Sequence, residues 1–162
     1  MNILNQSWKE SFQLPSFEKV KEKDFLPALN ESIIIATKNI EIISQETAPP
    51  NFANTIEALE TFDDMLSRVR ALYFNLVNAA SNEKLEEIQV EFVRRVSDFY
   101  SKVSMNKKVF SRIEKLYELS KSKILGLTDE QTRVLDLYRK DYIRSGAQLS
   151  LDEQAKLQKI II

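Results

Sequence analysis

Apolar residues recur three and four positions apart over most of this chain, and that stepping predicts a succession of long helices. Leu26, Leu29, Ile33, Ala36, Ile40 and Ile43 form a first seam. Asp24 stands where a cap is wanted, and Pro27 falls in the first turn, where its missing N–H costs little. Pro49-Pro50 ends that helix, and Asn51 or Asn54 caps a second one carrying Leu59, Phe62, Leu66, Val69, Tyr73 and Leu76. Beyond the break from Ala79 to Asn82, Leu85, Ile88, Phe92, Val96, Phe99 and Val103 line a third helix. A fourth starts near Asn106 with Val109, Ile113 and Leu116 on one face. Gly126 interrupts the chain, and Thr128 with Gln131 makes a capping box for a fifth helix bearing Leu135, Tyr138 and Tyr142, which Gly146 ends. Ser150 with Glu153 opens a sixth, still running at Ile160, Ile161 and Ile162.

The stretch before the first helix lacks that period. Trp8, Phe12, Leu14, Phe17 and Val20 lie among polar residues, and Pro15 disfavours helix at Leu14, so residues 1–22 read as an extended N-terminal arm. Its aromatics either anchor the arm on the domain's own surface or grip something outside the chain. Residues 23–162 then form one helical domain, truncated within its last helix. The expected fold is all-α: an antiparallel helical bundle of about six helices with long hairpins, preceded by the arm. The apolar groups at Ile160 to Ile162, with Trp8 and Phe12, are expected to drive self-association of such a fragment.

Composition narrows this without changing it. Two glycines and four prolines among 162 residues leave too little turn material for a many-stranded barrel or sandwich. With 23 basic and 24 acidic residues the net charge is -1, so no global field draws the chain to nucleic acid or to an anionic bilayer. No basic, apolar leader and no long apolar run is present, so neither a signal peptide nor a membrane span is expected. Charge is uneven, however: Glu46 to Leu66 holds five acids and no base, whereas Glu91 to Lys115 holds seven bases against three acids. Folding the second and third helices back about Ser81 sets these stretches side by side and predicts Glu60 near Lys102 and Arg70 near Glu91. A basic nucleic-acid face is the competing reading of Arg94 to Lys115, and no aromatics are placed there to stack bases.

The chain has no Cys and no His. Thiolate and imidazole nucleophiles, proton shuttles and metal ligands are therefore all missing. The paired acids Asp63-Asp64, Glu86-Glu87, Asp129-Glu130 and Asp152-Glu153 point about 100° apart on a helix and do not converge. Glu57 with Glu60 is a weak signal, and two isolated glycines cannot make a phosphate loop. Asn75 and Asn78 read as helix-surface amides, or else as amides facing a partner. No catalytic, cofactor-binding or metal-ligating residue is identified.

Six segments in order carry a likeness: Asp24-Phe-Leu-Pro-Ala-Leu29, Asn51-Phe-Ala-Asn-Thr-Ile-Glu-Ala-Leu-Glu60, Tyr73-Phe-Asn-Leu76, Asn82-Glu-Lys-Leu85, Leu125-Gly-Leu127 and Ser145-Gly-Ala-Gln-Leu149. Together they resemble the N-terminal helical region of zinc metallopeptidases related to thimet oligopeptidase, above all the bacterial peptidyl-dipeptidases, from about Trp8 to the last residue. The resemblance implies a mostly helical, clam-shaped cytoplasmic enzyme that cuts short peptides in a deep channel, with this piece walling the channel. The family's zinc is held by a His-Glu-x-x-His helix and a downstream Glu, none of which matches a position here. It further implies release of C-terminal dipeptides by the parent protein, zinc in the parent and none in this fragment, and a C-terminal catalytic domain as this piece's partner. The reading from another class is an independent helical protein-interaction module without enzymatic activity.

Overall fold

A computed structural model describes residues 2–6, 15, 17–122 and 125–161. Among the described residues seven α-helical segments follow in order: α1 (Phe25–Gln45), α2 (Ala58–Thr61), α3 (Asp64–Ala80), α4 (Glu83–Ser104), α5 (Lys107–Lys121), α6 (Asp129–Arg144) and α7 (Leu151–Ile161). No strand occurs among the described residues. All six expected helices are present, the second of them divided. It opens with a wide turn over Ala53–Glu57, in which the Ala58 N–H reaches back to the Ala53 carbonyl, then gives way to α2 and breaks before α3. No glycine or proline makes that break. Asp63 adopts φ -119 and ψ 18, and the Phe62 carbonyl it frees accepts a 2.8 Å hydrogen bond from the Asn39 amide.

Of the arm, Ile3–Asn5 and Phe17–Lys19 form single 3-10 turns and Leu4 is fully buried, whereas Phe17 is about half exposed. Trp8, Phe12, Leu14 and Ile162 lie outside the described residues. The anticipated caps are largely in place. Asn106 accepts from the N–H groups of Lys108 and Val109, and the pairs Thr128/Gln131 and Ser150/Glu153 form the reciprocal bonds expected of capping boxes. Asp24 does otherwise: a 3-10 turn over Glu22–Asp24 precedes α1, and the carboxylate reaches back to the Lys21 N–H at 2.9 Å. The buried face of α1 is turned slightly from the expected seam, through Phe25, Leu29, Ser32, Ala36, Ile40 and Ile43, with Leu26 and Ile33 only half-buried. A polar Ser32 fits there because its hydroxyl donates to the Leu29 carbonyl at 2.8 Å.

The chain divides into two compact units. Met1–Lys38 with Asp63–Arg95 gathers around Tyr73, whose ring stacks on Phe92 at 3.9 Å and meets the edge of Phe25 at 5.3 Å. Pairs of this kind add about 1 kcal/mol each beyond their buried area. The buried Tyr73 hydroxyl is satisfied by the Leu85 carbonyl at 2.8 Å. Asn39–Phe62 with Val96–Ile162 holds the buried Ile56, Leu59, Val109, Ile113, Leu116 and Leu135. Here α5 and α6 run antiparallel: Phe110 stacks on Tyr142, and the Arg139 guanidinium meets Glu114 at 3.0 Å and lies over the Tyr117 ring.

In this second unit Phe62 and Phe99, nearly equidistant in sequence from Ser81, stack at 6.3 Å, which is the antiparallel register expected of α2 against α4. Apolar packing sets it. Glu60 and Lys102, expected near one another in this register, have other partners: Lys102 pairs with Asp98 on its own helix at 2.7 Å, and Glu60 accepts the Tyr138 hydroxyl at 2.7 Å. Glu91 likewise bonds Arg94 and Arg95 one turn along its helix. Within-helix partners are already held close by the backbone, so they outcompete an exposed pair that must be ordered across a gap.

Two outcomes follow. Hydrogen bonds from Arg94 and then Arg95 hold the Glu91 carboxyl at about 2. Its folded value lies below its unfolded one, so its contribution to stability is present above pH 4.5 and lost as pH falls toward 2. A carboxyl-carbon NMR titration should place Glu91 near that value, and Glu91→Gln should flatten the stability profile across the same interval. Gly146 sits at φ 91, where an added Cβ would lie 2.9 Å from Leu149 Cδ1 and 3.0 Å from Leu157 Cδ2, while nothing stands within 4 Å at Gly126. Gly146→Ala should therefore destabilise the chain by about 1 to 3 kcal/mol, and Gly126→Ala by about 1 kcal/mol, as read from urea unfolding midpoints.

Candidate functional site

In the second unit two helices present matching stripes at helical spacing. Ser97, Ser101 and Ser104 follow at i, i+4 and i+7 on α4, with Tyr100 beside them, and Tyr138, Tyr142 and Ser145 do the same along α6 and its C-terminal cap. Leu59 of α2 and the adjoining Phe62 close the space between, making a cleft of about 500 Å³ with Val103 in its wall. Such a volume is in the range of small-ligand sites. Tyr138 bridges to α2 through its bond to Glu60. Burial pushes the Tyr142 phenol well above the usual tyrosine range, so it stays a neutral hydroxyl. The cleft thus offers apolar faces and uncharged hydroxyls, and no lysine, arginine or carboxylate stands among its lining residues.

The α2 wall is held from beneath by Arg112. This residue of α5 is only 7% exposed, and its guanidinium donates to the Glu46 carbonyl at 2.6 Å, the Ala48 carbonyl at 3.3 Å, Asn54 Oδ1 at 3.0 Å and Thr55 Oγ1 at 3.5 Å. The two terminal nitrogens of the planar fork supply all four bonds, and Nε has no partner. Asn54 is fixed from its other side by a reciprocal exchange with Asn51, each side chain accepting the other's backbone N–H, and by donation to the Pro49 carbonyl. Both asparagines proposed as caps therefore act together. The Pro49-Pro50 loop borders a second, open cleft of about 600 Å³ beside Lys108 and Lys115.

Among the described residues no three metal-ligating side chains converge, and without His or Cys the donor set does not fit zinc. The paired acids point to solvent or to helix starts, and Glu57 and Glu60 are exposed, the latter engaged by Tyr138. Asn75 and Asn78 are exposed on α3. No described helix is long and apolar enough to cross a membrane. Tyr138 and Tyr142 stand in the expected apolar line of the fifth helix, whereas the serines at i, i+4 and i+7 on α4 carry no titratable group to single them out in the sequence.

No protein-family model matches the chain. Curated proteins do. Dipeptidyl carboxypeptidase of Salmonella typhimurium is 30% identical over 156 residues, 96% of this chain and 22% of that protein. Dipeptidyl carboxypeptidase of Escherichia coli is 26% identical over 144 residues, and oligopeptidase A of the same species 22% identical over 149, again covering about nine-tenths of this chain. The homologues of this chain are thus dipeptidyl carboxypeptidase and oligopeptidase A. The chain spans about a fifth of the length of the curated relatives it matches.

The segments that carry the peptidase likeness now have physical roles. Asn51 to Glu60 is the loop, wide turn and α2 wall that Arg112 holds; Tyr73 and Leu85 share a hydrogen bond; Gly146 makes the left-handed turn after α6, where its carbonyl accepts from the buried Gln154 amide at 2.9 Å. These are joints of the fold. Replacing Arg112 by Met keeps its stem and removes the fork, leaving buried carbonyls unpaired, so Arg112→Met should cost about 2 to 4 kcal/mol in chemical denaturation. Arg112→Lys should recover less than half, since one ammonium cannot reach acceptors spread from Glu46 to Thr55.

Proposed function

We propose that this chain is the N-terminal helical region of a zinc metallopeptidase that cleaves short peptides and releases C-terminal dipeptides. In this reading it forms channel wall, and the catalytic centre with its zinc belongs to the rest of the parent protein, acting in the cytoplasm. The observation that carries the reading is the continuous match along 96% of the chain to a dipeptidyl carboxypeptidase. The donor set supports the division of labour: hydroxyls and apolar faces line the cleft, and the chain has no imidazole or thiolate for metal or nucleophile chemistry. Self-association of the isolated chain belongs to the same reading and draws on Ile160 of α7, which is 81% exposed.

The direct test compares the full-length gene product with the 162-residue chain on a quenched short peptide. The full-length product is expected to release dipeptides from the C-terminus, to lose activity to a chelator and to regain it with zinc, and to encode a His-Glu-x-x-His motif downstream. The chain alone is expected to cleave nothing and to show no submicromolar zinc site by calorimetry. Chelator-sensitive cleavage by the chain alone, or a full-length product with no such motif and no peptidase activity, would overturn the reading; the latter favours the interaction module.

A further inference from the structure

The open cleft beside the Pro49-Pro50 loop carries an unbalanced set of charges. Several exposed cations on these helices stand one turn from a carboxylate: Arg94 and Arg95 by Glu91, Lys102 by Asp98, Lys121 by Glu118 and Lys140 by Asp136. Lys108, Arg112 and Lys115 instead follow one another at i, i+4 and i+7 along one face of α5, and like charges at that spacing destabilise a helix. One turn on from Lys108 stand Ser111 and Arg112. One turn from Lys115 stand Ser111, Arg112, Leu119 and Glu118, and Glu118 is already taken by Lys121. Neither lysine has a side-chain partner among the described residues.

All three cations line one cleft of about 600 Å³, with Ser111 between them and the loop from Glu46 to Pro50 as the facing wall. Arg112 spends its hydrogen bonds on carbonyl, amide and hydroxyl oxygens, which solvate its charge without cancelling it. Glu46 is the carboxylate of the lining, and its Oε1 accepts the Ala48 N–H at 2.8 Å. Three positive charges against that one negative leave the cleft a balance of +2. We infer that it binds a small anion of the phosphate class carrying at least two charges, held between the ammonium groups of Lys108 and Lys115 with the Ser111 hydroxyl donating to it. A single carboxylate answers one lysine only. The two lysines lie about 10 Å apart along the helix axis, a gap that their flexible stems close onto an anion with several oxygens. The site is independent of the peptidase reading and needs neither zinc nor peptide.

The experiment is a two-dimensional NMR titration of the 162-residue chain with inorganic diphosphate at low ionic strength, where exposed charges are little screened. Saturable shifts are expected, concentrated at residues 44–50 and 108–119, with half-saturation at about 1 mM. Lys115→Gln should weaken binding at least about fivefold. Glu46→Gln removes the opposing charge and keeps the backbone carbonyl that Arg112 uses, so it should tighten binding about twofold or more. Lys140→Gln, outside the cleft, should leave binding unchanged. Adenosine diphosphate in place of diphosphate tells the source of the anion: binding at least as tight points to a phosphate group carried on a larger molecule, and binding of diphosphate alone points to the free anion, either of which upholds the site. No saturation up to about 20 mM, shifts spread evenly over the surface lysines, equal binding by Lys115→Gln, or triaspartate binding as tightly as diphosphate would overturn the inference.

Discussion

A single buried guanidinium fixes the loop and wide turn that lead into α2. Arg112 has no carboxylate partner in its hydrogen bonds; it is surrounded by the carbonyls of Glu46 and Ala48 and the side-chain oxygens of Asn54 and Thr55. A buried cation is tolerable only where such dipoles are held ready for it, and the dipoles come from a loop that two prolines and a reciprocal asparagine pair have already shaped. The dependence runs both ways. The loop gives Arg112 its solvation, and Arg112 gives the loop its one position against α5.

From that position the rest of the second unit follows. Asn54 and Thr55 begin the wide turn whose Ala58 N–H bonds the Ala53 carbonyl, and the extra residue in that turn sets the direction of α2. Direction matters because Leu59 and Phe62 close the cleft over the serine stripe of α4, and Glu60 meets Tyr138 of the facing stripe. The Asn39 amide then takes up the carbonyl released where α2 stops. A loop contact is thus converted into the placement of a wall, and the wall into a volume lined by neutral hydroxyls.

Helices, their order and most of their ends were legible in the sequence because local chemistry decides them: Asn106, the two capping boxes and Gly146 need nothing beyond their own neighbours. The all-α class and the antiparallel pairing of the seams follow from the same periodicity. What could not be read is what distant groups decide. The break at Phe62 has no breaker residue, since its freed carbonyl is satisfied by Asn39 far back in the chain. Arg112 counted as one more base in a basic stretch, and only the fold brings it to four oxygen acceptors. Ser32 interrupts an apolar seam and is buried nonetheless, for its hydroxyl is spent within its own helix turn. Charge pattern did not tell the individual partners of Glu60 and Lys102, which Tyr138 and Asp98 supply.

Hydrogen exchange in an Arg112→Gln variant tests the hold of this residue on the loop most directly. If Arg112 positions the wide turn, amides across residues 51–62 lose protection by orders of magnitude while α6 keeps the protection it has in the wild type, because local opening exposes only the segment that Arg112 pins. Unchanged protection across residues 51–62, or an equal loss in α6, would contradict it: the first would mean the loop stands without the guanidinium, the second that Arg112 serves the whole unit and not the wall of the cleft.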